Sequence, residues 1–238
     1  MNIYPPPFAH GPIEEIMPDI FFVSGTSVLE YEGNTIQKSN NMVIVRNGKE
    51  LSLINTLRLK DGGLRALDKL GNVVNVIRLG IFHDRNDLFY VDRYKAKLWA
   101  VRGMDHKNNN QADVLIGETN TIPFPGAFFF KFETTSYPEA IIHIARLGGI
   151  LITCDSIKNW TRVDEYFSEK TAKEFLAQGL IAPVSIDTIW LGVMKPKKED
   201  FSRLKQLKFR HLFSAHGEPI IDTAHEQLMP VLERLSKL

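Results

Sequence analysis

Apolar residues along this chain fall into short blocks separated by polar, Gly- and Asn-containing breaks, the spacing of strands alternating with helices. Residues 20–23 (Ile-Phe-Phe-Val) read as a strand. Residues 42–46 and 50–56 read as a hairpin across Asn47-Gly48, a dipeptide suited to turns with positive φ. A helix follows with Asp61 as N-cap, Leu64, Leu67 and Leu70 on one face, and Gly71 closing it. Residues 73–82 and 97–101 then return as strands, and residues 103–111, with Asn108-Asn109-Asn110, read as an exposed loop. The proline-rich first 18 residues lack periodicity and read as a surface arm.

The second half repeats the plan. Residues 141–145 and 149–153 read as two strands joined across Leu147-Gly148. Set beside the first hairpin they correspond at a constant offset of 100: Arg46 with Arg146, Gly48 with Gly148, Leu51 with Leu151, and Asn55 with Asp155. Helical spacing covers residues 168–178, with Ser168 as cap and Ala172, Phe175 and Leu176 inward. It recurs at 199–207 on Phe201, Leu204 and Leu207, and at 222–238 on Leu228, Val231, Leu232 and Leu235, with Pro230 inside. The pattern predicts an α/β protein: an αββα sandwich of two mixed sheets flanked by helices, in one domain (1–238) of two similar lobes behind the arm 1–18.

Three polar clusters follow strand-like segments: His83-Asp84-Arg85-Asn86-Asp87, Cys154-Asp155-Ser156 and Ala215-His216-Gly217. Polar groups at the same ends of neighbouring strands converge at one sheet edge, where α/β folds build sites. Two imidazoles with one or two carboxylates suit one divalent ion, with zinc, iron(II) and manganese all compatible with such a mixed set. A lone histidine or Asp-Ser at a strand end is also read as an ordinary hydrogen-bonded turn group.

Charge narrows the partners. A formal net charge of +1, with 24% charged residues, leaves no electrostatic footprint for nucleic acid or acidic membranes. The single cysteine, Cys154, excludes an internal disulfide and points to a reducing, cytoplasmic setting. The N-terminus has no secretory pattern, and the apolar stretch 140–154 is broken by His143 and Arg146, so no spanning helix is expected.

In this order the clusters resemble the metallo-β-lactamase-fold hydrolases in divergent form. That family carries an early Asp, a His-x-His-x-Asp-His motif, an isolated His, a Gly-Asp after a strand and a late Gly-His-Gly. His83 and Asp87 match the first His and the Asp of the long motif, while Arg85 and Leu88 replace its other histidines. Asn55 stands at the early Asp, Ser136 at the isolated His, and Cys154 at the Gly before the matching Asp155; His216-Gly217 matches the last motif. The resemblance implies one metal held by His83, Asp155 and His216, with Asp87 as fourth ligand or base, activating water against a small ester, lactone or thioester-like substrate. Arg85 cannot ligate a cation, so it reads as a counter-ion to Asp87 or Asp155 in preference to a substrate clamp. The loss of histidines motivates an alternative, a catalytically silent binding protein without metal, and a third, an iron site for redox chemistry.

Other residues read as structural. Cys154 lies in an apolar strand and reads as inert packing. His143 reads as a strand-face residue and His225 as a polar face of the last helix; His10, His106 and His211 lack a partner pattern. The run Phe124–Phe130 reads as core plus strand, with a substrate wall or the edge of a homo-oligomer as the alternative.

Overall fold

A computed structural model describes residues 4–104, 111–118 and 121–237; His106 and most of the loop expected at 103–111 lie outside them. Seven strands form one sheet in sequence order: β1 (Glu14–Met17), β2 (Ile20–Tyr31), β3 (Asn34–Asn47), β4 (Glu50–Ile54), β5 (Asn72–Ile77), β6 (Lys97–Ala100) and β7 (Val114–Leu115). The first three pairings are antiparallel and the last three parallel. The second sheet has the order β11 (His211–Ser214), β10 (Ile150–Thr153), β9 (Ala140–Ile144), β8 (Ala127–Lys131). Helices are α1 (Asp61–Leu70), α2 (Asp87–Tyr94), α3 (Glu169–Ala177), α4 (Thr188–Met194), α5 (Lys198–Leu204) and α6 (Ala224–Leu235).

Strand alternation sorts the apolar residues into layers. Val43 and Val45 of β3 meet Ile142, Ile144, Ile150 and Ile152 in the core between the sheets. The intervening Met42 and Ile44 face out onto Leu64 and Leu67 of α1 and Phe89 and Tyr90 of α2. On the other side Ile141 and Leu151 pack under α4, α5 and α6 through Trp190, Phe201, Leu204, Leu228 and Leu232. The αββα sandwich follows from this double-sided burial, which leaves β9 and β10 wholly buried.

The hairpins predicted around Gly48 and Gly148 are present, with register Val45↔Ser52 in the first and Ile152↔Ile142 in the second. In each half the second strand then pairs parallel with a later one, β4 with β5 and β10 with β11. Arg46 and Arg146, matched at the offset of 100, both reach Asp19, at 2.7 and 4.0 Å.

Several boundaries differ from the sequence reading. The arm ends earlier, because Glu14–Met17 pairs with β2 as an edge strand. Asp61 is the first residue of α1, where its charge suits the helix N-terminus, and Lys60 is the N-cap. In α3 Ser168 does cap, accepting from Thr171 N, but Leu176 points outward at 57% exposure. The strand expected over 73–82 stops at Ile77: the buried Arg78 guanidinium donates to the carbonyls of Gly80 and Ile81 and folds the chain back. Helices α2 and α4 have too little apolar periodicity to be seen in the sequence; the Asp187 side chain caps α4 by accepting from Trp190 N at 2.7 Å.

Candidate metal centre

Three separate turns bring the site together. The loop after β5 carries His83, the turn after β10 carries Asp155, and the turn after β11 carries His216. His216 Nε2 lies 3.0 Å from Asp155 Oδ1, His83 Nε2 lies 3.3 Å from Asp155 Oδ2, and the two Nε2 atoms are 3.4 Å apart. All three residues are buried. The Cys154 thiol joins this group, with donor atoms of His83, Cys154 and Asp155 all within 4.8 Å of one another. Its Sγ lies 3.4 Å from Asp155 Oδ2, and burial pushes the thiol well above its ordinary pKa, so it stands as a protonated donor.

The turn presenting His216 is held from the opposite sheet. Asn41 of β3 donates to the carbonyls of Ser214 at 3.1 Å and Gly217 at 2.7 Å. Gly217 has φ 85°, and a Cβ there would lie 1.9 Å from the Asn159 carbonyl oxygen, so only glycine lets the chains approach this closely. His216 Nδ1 lies 3.3 Å from the Ser39 carbonyl. That partner assigns the proton to Nδ1 and leaves the Nε2 lone pair facing Asp155 and His83.

Charge at the centre is set by burial and by these neighbours. For Asp155, burial would raise the pKa, but the charge of His83 and the close approach of the His216 and His83 rings hold it well below the usual carboxylate range. Burial, reinforced by the Lys38 ammonium, pushes His216 well below its ordinary value. Glu139 lies beneath, accepting from Ser156 N at 2.7 Å and Trp190 Nε1 at 2.8 Å; burial and the repulsion of Asp155 raise it to about 8.

Other residues of the sequence reading lie elsewhere. Asp87 opens α2 and accepts from Thr56 Oγ1 at 2.6 Å, its second oxygen having no hydrogen bond, and it stands outside the donor cluster. The fourth-ligand role read for it is therefore not what the side chain does here: the helix start turns it towards Thr56. Arg85 pairs with neither Asp87 nor Asp155; its guanidinium donates to the Val28 carbonyl and lies 5.7 Å from the Phe8 ring. Asn55 donates to Thr153 O at 2.8 Å, tying the sheets just before Asp155. Ser136 is exposed, its backbone N–H donating to Met194 O. His143, His211 and His10 bond backbone carbonyls of Lys208, Leu147 and Gly11.

The sequence reading missed Lys38. Its Nζ lies 3.1 Å from His216 Nε2 and 5.5 Å from the Trp160 ring centroid. No hydrophobic pattern marks residues 24–41 as strand, because their side chains are mostly polar, yet they extend β2 and β3 into a long hairpin over the site. Two cavities meet at His83, sharing Ser27, Leu29, Asn40 and Phe82. The smaller, about 220 Å³, reaches Asp155 and Lys38 and is walled by Trp160, Phe175 and Trp190. The larger, about 610 Å³, runs past Asp84, Arg85 and Glu30. Phe82, Ile189 and Val193 line the smaller one while remaining 54%, 52% and 38% exposed, giving it an apolar rim.

No protein-family model matches this sequence, and no curated protein matches it. Solved structures do match over nearly their whole length. A metallo-β-lactamase from Pontibacter korlensis is 14% identical with TM-score 0.58, covering 93% of this chain and 98% of the other. FIM-1 from Pseudomonas aeruginosa, in a mono-zinc form, is 12% identical with TM-score 0.60 over 95% and 97%. One from Erythrobacter litoralis is 13% identical with TM-score 0.56 over 94% and 92%. The chain has the metallo-β-lactamase fold, as the order of its polar clusters implied. Among the described residues no helix is long and apolar enough to cross a membrane.

The donors suit a single ion. Zinc bonds of about 2.0–2.1 Å place tetrahedral ligands about 3.3–3.4 Å apart; the two imidazole Nε2 atoms stand 3.4 Å apart, with one Asp155 oxygen beside each of them. A bare imidazole nitrogen 3.0 Å from a carboxylate oxygen also needs a cation or proton between them.

Proposed function

We propose that this chain is a metal-dependent hydrolase acting on a small ester, lactone or thioester-like substrate. The observation that carries the reading is the convergence of His83 Nε2, His216 Nε2 and the Asp155 carboxylate, of which His83 and Asp155 line an apolar cavity. Those three residues would hold one divalent ion, zinc, iron or manganese, and the mono-zinc form of FIM-1 supports a single-ion site. Such an ion supplies Lewis acidity and makes water a nucleophile at neutral pH.

The chain's own residues do the rest. Ser39 O fixes the His216 tautomer, and Asn41 fixes the turn that carries it. Trp160, Phe175 and Trp190 exclude water and seat the apolar part of a small acyl group. Of these two cavities Arg85 lines the larger, and its bond to Val28 O makes it a wall of that entrance. Asp87 lines neither cavity, so the proton-accepting role expected for it is left out of this reading.

Elemental analysis of protein purified without added metal or chelator tests the site, alongside a panel of p-nitrophenyl acetate and butyrate, a butyryl thioester and γ-butyrolactone. Near-stoichiometric metal and hydrolysis, both lost in His83→Ala and Asp155→Ala, are expected. Unchanged metal content in both variants would remove the site. The Lys38 ammonium on His216 favours the second reading, a binding protein of this fold without metal, which predicts no bound ion and no EDTA effect.

A further inference from the structure

Lys38 is a charged group at the centre that a metal site does not need. It reaches the cluster from β3 and places its Nζ 3.1 Å from His216 Nε2, the lone pair that an ion would use. His216 Nδ1 is taken up by Ser39 O, so Nε2 has no proton of its own to offer Asp155 at 3.0 Å. An ammonium hydrogen bond supplies the missing positive charge at that point. Among the described residues no carboxylate lies within ion-pair distance of Lys38; the acid that acts on it most strongly is Asp155. Lys158, the other lysine over Trp160, is paired with Asp187 and is not in this position.

One imidazole lone pair accepts either an N–H or a metal, and an ammonium ion repels a divalent cation at this distance. We infer that Lys38 is a tethered cation that competes with the metal for His216, so that loading requires its ammonium to swing into the adjoining cavity of about 220 Å³. The inference rests on the reading of His83, Asp155 and His216 as a metal site. Its consequence is a centre that is held together with or without the ion, at the cost of metal affinity.

The test is binding of Zn²⁺ alone, and of Mn²⁺ alone, by calorimetry and equilibrium dialysis at one pH and ionic strength. Wild type is compared with Lys38→Met, Lys38→Gln and Lys38→Arg, with circular dichroism and melting curves to verify folding. Lys38 is partly exposed along the cavity, so both neutral variants should fold. Lys38→Met and Lys38→Gln should bind one Zn²⁺ about tenfold or more tighter than wild type, a gain expected from removing a like charge. Lys38→Arg should stay weak, and His216→Ala in the Lys38→Met background should abolish the gain. Equal affinity in wild type and both neutral variants overturns the competition while leaving the metal site standing. No His216-dependent binding in any variant overturns both. Tighter binding without hydrolysis of any substrate upholds the competition and removes only the hydrolase reading.

Discussion

Asn41 donates to the Gly217 carbonyl at 2.7 Å, a bond between a strand of the first sheet and the turn that presents His216 from the second. With its second bond, to Ser214 O, this one carboxamide fixes the position of an imidazole 175 residues away in sequence.

Asn41→Ala abandons two buried carbonyls, at about 1–3 kcal/mol each. Urea unfolding should show a loss within the resulting range. Metal content should fall with it, because His216 loses its anchor. Full stability in the variant would show that the turn holds itself.

Gly217 and Gly48 both adopt positive φ, yet they should respond differently to alanine. At Gly48 nothing lies within 4 Å of an added Cβ, so only the left-handed backbone cost of about 1–2 kcal/mol applies. At Gly217 the Asn159 backbone must move, and a loss above about 4 kcal/mol is expected. Paired melting curves decide it, and similar Tm values for the two variants contradict the close approach.

Asp87 carries a pH signature. Burial, opposed by the Thr56 hydrogen bond, raises its carboxyl to about 6 in the folded chain. The fold thus penalises the ionised form: its contribution is intact below about pH 4 and is lost as pH rises through about 6. The loss is about 3 kcal/mol at most. Asp87→Asn should flatten this part of the stability profile between those values. Denaturant unfolding at stepped pH measures it, and parallel profiles for the two proteins contradict it.

Chelation offers a check on the centre as a whole. Metal present at a hundredfold excess over its Kd stabilises the fold by about 3 kcal/mol. EDTA should therefore lower the Tm of metal-loaded wild type and leave His216→Ala unchanged. An equal fall in both would place the ion elsewhere.

Local pattern was enough for much of the architecture. Apolar blocks at strand spacing and the Gly48 and Gly148 turns placed the hairpins, because alternation and positive φ are properties of neighbouring residues. The order of His83, Asp155 and His216 along the chain was enough to pair them, since strand ends in such a sandwich point to a common edge.

Only the tertiary structure decided which polar residues join them. Asp87 and Arg85 lie within four residues of His83 in sequence, yet the folding back at Arg78 and the start of α2 turn them towards Thr56 and Val28. Lys38, in a polar stretch, arrives at the centre with no motif to announce it, and Cys154, read from the sequence as packing, brings its thiol there beside Asp155. Their places depend on strand register and the approach of two sheets, which are set by the burial of apolar faces far along the chain. A linear order of polar clusters can name residues that meet at one sheet edge, but the charges that share that edge with them are chosen by packing.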